Sequence, residues 1–218
     1  MSSRSAMSRL ALVLSLAVTG AVVSVPSVAD ACGNSVMRVV DHTQKYVQKA
    51  ELLLAKGQYK KAISTVREAF GDRAIASHRG GPGLVLHGRA QRILALAVAR
   101  SGGDIAIGMD LGGAAQSRKD AAIAWAVLAL RLQGGVAPTP AQTSELAEAL
   151  SRQASGRAEA YTLLKELGDG DLMPNAQGWA LLAELSKQRG DVEGSKKAAE
   201  RCRQIGAPGV QCDVAEQA

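Results

Sequence analysis

Aromatic side chains are scarce in this chain. It has two Trp, three Tyr and one Phe among 218 residues. Proteins that grip single-stranded nucleic acid stack its bases on aromatic rings set along a basic groove. The net charge is +6, but no basic stripe carries interleaved rings, so nucleic acid is not an expected partner. The excess of Lys and Arg fits a solvated surface with a weak bias toward anionic partners. Alternation of β-branched and polar residues is also missing, which leaves helix as the regular structure the pattern supports.

Histidine is equally sparse. His42, His78 and His87 are the only three, and no two have the i, i+4 spacing that lets one helix face hold a metal. Asp169-Gly170-Asp171 begins as a calcium loop does, but Met173 stands where the third oxygen ligand belongs. A helix-ending turn is expected there instead. The glycine-rich stretch 71–83 has no Gly-Lys-Ser/Thr and follows no strand, so it is expected to be a connector rather than a phosphate cradle. There is no Gly-x-Ser-x-Gly motif, and no cysteine has a base beside it. Glu148, Glu159 and Glu166 fall on expected helices, with nothing in their spacing to pair them as acid and base. No catalytic residue, cofactor or metal is expected.

Long apolar runs are confined to the amino terminus. Residues 10–25 carry no charge, follow Arg4 and Arg9, and end at Pro26. Ala29-Asp30-Ala31 then supplies a small-x-small cleavage pattern. The run is shorter than the roughly 20 residues that cross a bilayer. Residues 1–31 are expected to be a cleaved signal peptide, placing a chain that starts at Cys32 in the periplasm or outside the cell. A lipidated cysteine would also follow such a cut, so an outer-membrane lipoprotein is the competing reading, although Asp30 fits that pattern poorly. The membrane is a partner only if Cys32 is lipidated. The longest later apolar run, 121–130, stops at Arg131.

Three cysteines in an exported chain invite one disulfide. Cys202 and Cys212 are close in sequence, and Gly206, Pro208 and Gly209 would let a tail turn back between them. Closing so short a loop contributes about 2–3 kcal/mol in the chain-entropy model. The alternative keeps Cys202 as a small core residue and Cys212 as a free thiol.

What remains is rich in good helix formers: Ala, Leu, Glu, Lys, Arg and Gln. The pattern predicts nine helices, over 36–56, 59–71, 84–101, 104–115, 119–133, 140–153, 156–167, 176–189 and 191–205. Gly57, Gly102-Gly103, Gly134-Gly135 and Gly190 stop helices. Pro138, Pro140 and Pro174 sit outside a helix or in its first turn. Short turns make sequential helices antiparallel neighbours. The expected fold is all-α, a solenoid of antiparallel helix pairs over 32–207, with a tail at 208–218. Nine helices do not divide into pairs, so either one helix lacks a partner or the middle helices pair differently.

Two stretches share one grammar. Residues 50–70, AELLLAKGQYKKAISTVREAF, and residues 179–202, WALLAELSKQRGDVEGSKKAAERC, each run an apolar helix to a glycine and restart. This resembles the tetratricopeptide repeat, a two-helix unit with a period of 34 residues. Counted from Thr43, Tyr46, Ala50, Leu53, Gly57, Tyr59, Ala62, Val66 and Ala69 fall on the family's signature positions, with Lys49 out of pattern. Counted from Ala176, Trp179, Leu182, Ala183, Ser186, Gly190, Val192, Ser195, Ala199 and Cys202 fall there. Positions 8 and 20 are small because the two helices cross there. A unit from Arg89 aligns Ala99, Gly103, Ile105, Gly108 and Ala115, with Leu96 large at position 8. One from Ala141 aligns Ala147, Ala160 and Leu164, with Glu148 a charge at position 8 and Leu167 large at position 27. The helix around Trp125 looks like a first helix without a clear second.

The resemblance spans about 43–207 and implies a function. Such repeats line a concave groove with their first helices. Here that implies Gln44, Val47, Glu51, Leu54 and Ala55 in the first unit, and Gln177, Ala180, Glu184, Lys187 and Gln188 in the last. Facing solvent is the plain alternative for each. Members that clamp a terminal carboxylate carry Asn at position 9, where this chain has Glu51, Ala97 and Glu184, so that clamp is not implied. The expected function is an exported, non-catalytic scaffold for a protein or peptide. Behind it stand a structural accessory subunit of an envelope assembly or secretion complex and, last, a cell-envelope enzyme with a helical array.

Overall fold

The computed structural model describes residues 30–71, 84–105, 114–207 and 209–213. Its helices are α1 (Asp30–Ala55), α2 (Tyr59–Phe70), α3 (Leu84–Arg100), α4 (Ala115–Gly134), α5 (Pro140–Ser151), α6 (Arg157–Asp169), α7 (Ala176–Gln188) and α8 (Val192–Ile205). One 3-10 turn, Ala154–Gly156, precedes α6, and no strand occurs among the described residues. The fold is all-α. No helix among the described residues is long and apolar enough to cross a membrane. The expected signal peptide lies outside the described residues except for its last two positions, Asp30 and Ala31, which begin α1 and lead directly into Cys32.

Four helices end by one local rule. After α1, the Gln58 amide donates to the Leu53 carbonyl and the Gly57 amide to the Leu54 carbonyl. The same two bonds follow α7, from Asp191 to Ser186 and from Gly190 to Lys187, and recur after α3 and α6. This closure needs a left-handed residue. Gly57 and Gly190 supply it at φ 71° and 79°, where any side chain would be strained. After α6 the position falls to Asp171, at φ 52°. Asp169-Gly170-Asp171 is thus a helix-ending turn, with Asp169 bound by Lys165 and Asp171 by Arg201. The starts of α5, α7 and α8 are fixed by side chains. Asp191 accepts from the Gly194 amide, Asn175 from Gly178, and Thr139 forms a reciprocal box with Gln142.

The helices pack in sequence: α1 on α2, α3 on α4, α5 on α6 and α7 on α8. First members also meet one another, α1 on α3, α3 on α5 and α5 on α7, while each second member touches the next first member. One buried cluster fills α1 to α4, and a second fills α5 to α8; Val127 and Leu146 pack against both. Small residues let paired helices close. Ala50 and Ala62 are fully buried where α1 meets α2. In the last pair the Ser195 hydroxyl donates to the Ala183 carbonyl at 2.8 Å. That bond crosses between positions 8 and 20 of the unit.

The middle departs from the sequence-based expectation. Eight helices, not nine, are present among the described residues. The helix expected over 104–115 is not formed at its described ends: Asp104 and Ile105 are irregular, and Ala114 is extended. The partner of α3 is α4, so the register of Gly103, Ile105 and Ala115 from Arg89 does not hold. The helix around Trp125 is a second member, not a first. The connector expected over 71–83 lies outside the described residues beyond Gly71.

Candidate functional site

On α3, arginines reach both ways along the row of first helices. Arg89 donates from Nε and Nη2 to Glu51 of α1, at 2.9 and 2.6 Å. Arg92 forms the same two-bond contact with Glu145 of α5. Arg100 binds Glu148 through Nε at 2.8 Å and Nη2 at 3.0 Å. The planar guanidinium matches a carboxylate with two parallel bonds, so each contact fixes register as well as distance. Glu145 and Glu148 are buried, and a buried charge persists only with a partner. The bonds from Glu51 and Glu145 raise the pKa of Arg89 and Arg92 above the ordinary range. For Arg100, burial works against the charge and the Glu148 contact outweighs it, again giving a raised pKa. The charge at position 8 of the third unit is therefore one end of an interhelical ion pair.

This ladder decides which expected groove residues are available. In the first unit, Gln44 is exposed, but Val47 is 0% and Leu54 6% exposed, both in the core. Glu51 is held by Arg89. Val47 and Leu54 are therefore corrected to packing residues: α3 lies over the face they occupy. In the last pair, among the described residues, no helix lies over the corresponding face of α7 as α3 lies over that of α1. Gln177, Ala180, Glu184 and Lys187 line one open groove of about 900 Å³ with Gln188. Its other walls are the end of α5 and start of α6, through Ser151, Arg152 and Arg157, and the tail, through Gly209, Gln211 and Asp213.

The tail is a wall because it is tied down. Cys202 and Cys212 are joined by a disulfide with their Cα atoms 5.5 Å apart. Arg203 donates to Asp213 at 2.7 Å, and Val210 packs against the second core cluster. α7 packs close on α5: a Cβ at Gly178 would lie 2.8 Å from Ser144 Oγ and would also press on the Met173 thioether.

The lining is mostly polar. Glu184 accepts from Gln188 at 3.1 Å, Glu148 is taken by Arg100, and Asp213 by Arg203. Arg157 reaches only the Ser151 carbonyl, at 3.4 Å. These groups suit hydrogen bonding to an extended chain. The carboxylates considered as acid and base do not converge: Glu148 pairs with Arg100, Glu159 with Arg131, and Glu166 is exposed. His42 stacks edge-on against Tyr46 and His87 against Phe70, while His78 lies outside the described residues. Among the described residues no three His, Cys, Asp or Glu side chains gather as a metal site. Trp179 is buried under Arg201, and Trp125 packs on the first cluster.

No family model, curated protein or solved structure matches this chain.

Sequence reasoning did not find the tail wall, nor Arg152 and Arg157. Arg152 caps α5 and Arg157 begins α6, and the place of both beside α7 depends on how α5 stacks.

Proposed function

We propose that this chain is an exported, non-catalytic scaffold that holds a protein or peptide along α7. The observation that carries this is the contrast between equivalent positions. Faces that α3 covers in the first unit are half-buried or exposed in the last, and there they line a polar groove with a fixed far wall. A groove lined by hydrogen-bonding groups suits an extended segment whose backbone and polar side chains replace water. The consecutive stacking of helix pairs supports a tetratricopeptide-like solenoid, in which concave surfaces of this kind bind partners. The leader-like segment 1–31 and the Cys202–Cys212 pair support a periplasmic or secreted location.

The test places a photo-crosslinking residue at Ala180 or Lys187, with Gln44 as the control. One defined protein should be captured from envelope fractions at the two α7 positions and not at Gln44. Equal capture at all three would remove the groove from the reading. A structural subunit of an envelope assembly is the second reading. The exposed Leu128 and Leu132 of α4 favour it, since apolar surface on one helix marks contact.

A further inference from the structure

Helix α4 is apolar on two sides. Ala122, Ile123, Ala126, Ala129 and Leu130 face the core. On the opposite side Ala124 is exposed, Leu128 is 52% and Leu132 55% exposed, and half-buried Ala121 continues the row. The spacing 121, 124, 128, 132 is one helical stripe. A helix that is apolar all round normally has a partner on each face. The other exposed large apolar side chains among the described residues form no such row: Leu52, Val85, Val136 and Leu172 sit on separate elements, and Val192 and Ile205 lie at opposite ends of α8.

We propose that this outer face of α4 is a self-association surface, on which α4 of a second copy docks antiparallel about a two-fold axis near Ala126. The stripe is complementary to itself. Its first half is small, Ala121 and Ala124; its second half is large, Leu128 and Leu132. An antiparallel two-fold lays each leucine of one copy over an alanine of the other, so ridges meet gaps. The charges agree. Asp120 flanks the small end and Arg131 the large end, so the same axis brings Asp120 of each copy beside Arg131 of the other. Each already has a local contact, Asp120 with Gln116 and Arg131 with Glu159, so the crossing pair adds to existing networks. A stripe of about 17 Å belongs to small, weak interfaces, with micromolar dissociation.

The test is sedimentation equilibrium of the oxidised exported chain from low to high micromolar concentration. The mass should rise toward that of a dimer. Leu128→Glu should weaken association, raising the dissociation constant at least about tenfold, while keeping the wild-type circular dichroism and melting curve. Asp120→Arg should weaken it too, and adding Arg131→Asp should restore it. Mixed copies carrying Ala124→Cys and Leu128→Cys should form an intermolecular disulfide. A monomer at every concentration overturns the proposal. So does a dimer that Leu128→Glu leaves intact. Unfolding of Leu128→Glu would mean that the chain covers this face itself, and binding of wild type but not Leu128→Glu to anionic vesicles would assign the face to a membrane; either result overturns the proposal.

Discussion

Counted from Thr43 and from Ala176, the fifth residue is Val47 in α1 and Ala180 in α7, and the twelfth is Leu54 and Lys187. The first of each pair is buried beneath α3, and the second lines an open groove. Position 9 is Glu51, bound by Arg89, in one unit and Glu184, exposed, in the other. Corresponding places on the two helices thus do different work according to whether another helix lies over them. A covered face takes Val and Leu, because burial of each contributes about 1.5–3 kcal/mol. An uncovered face takes Ala, Lys and Gln, which cost little in water. The end of a stacked array is where binding groups are available without disturbing packing.

The covered half depends on the ladder, and breaking one rung should have the largest effect. Arg100→Met leaves Glu148 buried without its partner and should destabilise by about 3–5 kcal/mol. Changing Glu148 to Met as well should recover most of that loss. Denaturant titration of the single and double variants checks this, and a double variant no better than the single would show that Arg100 stabilises by packing alone.

The open half depends on its tied tail. Cys212→Ser should cost about 2–3 kcal/mol, concentrated where the tail crosses α8. Hydrogen exchange should speed in α8 and leave α1 and α2 unchanged. Uniform loss of protection would mean that the two halves unfold as one unit. Non-reducing mass spectrometry of the exported chain should find Cys202 linked to Cys212, with Cys32 outside the pair.

Both ends rely on small residues at the helix crossing. Ala62→Leu and Ala183→Leu should each destabilise by about 1–3 kcal/mol through overpacking. Thermal unfolding reads both, and an unchanged midpoint for either would remove that residue from the crossing. The smallest effect is expected in the groove. Ala180→Ser and Lys187→Gln should stay within about 0.5 kcal/mol of wild type, because neither side chain is packed beneath a following helix.

The hairpins at the two ends were legible in the sequence because their determinants are local. Gly57 and Gly190 terminate a helix within four residues of the carbonyls they satisfy, and Ala50, Ala62, Ala183 and Ser195 recur at fixed spacing. The middle was not legible. The signals that α3 ends at Gly102-Gly103 are local, but its pairing with α4 is set across residues that carry no helix pattern of their own at their described ends. Glu148 looked misplaced because its reason, Arg100, lies 48 residues away. The groove was half legible. The positions implied on α7 line one open groove, and the apolar character of Val47 and Leu54 was itself the sign that something covers them. The second apolar face of α4 was written in 121–132 as well, where alanine and leucine recur with no polar side.

The contrast between covered and open units is tested most directly by thiol labelling. Val47→Cys, Leu54→Cys, Ala180→Cys and Lys187→Cys, each in a Cys32→Ser background, would be exposed to a maleimide under native conditions. The open-end geometry predicts that the α7 thiols react within about tenfold of a free thiol. The α1 thiols should react only as fast as the first unit opens, slower by orders of magnitude. Equal rates at the two ends, or faster reaction at Val47 and Leu54, would contradict it.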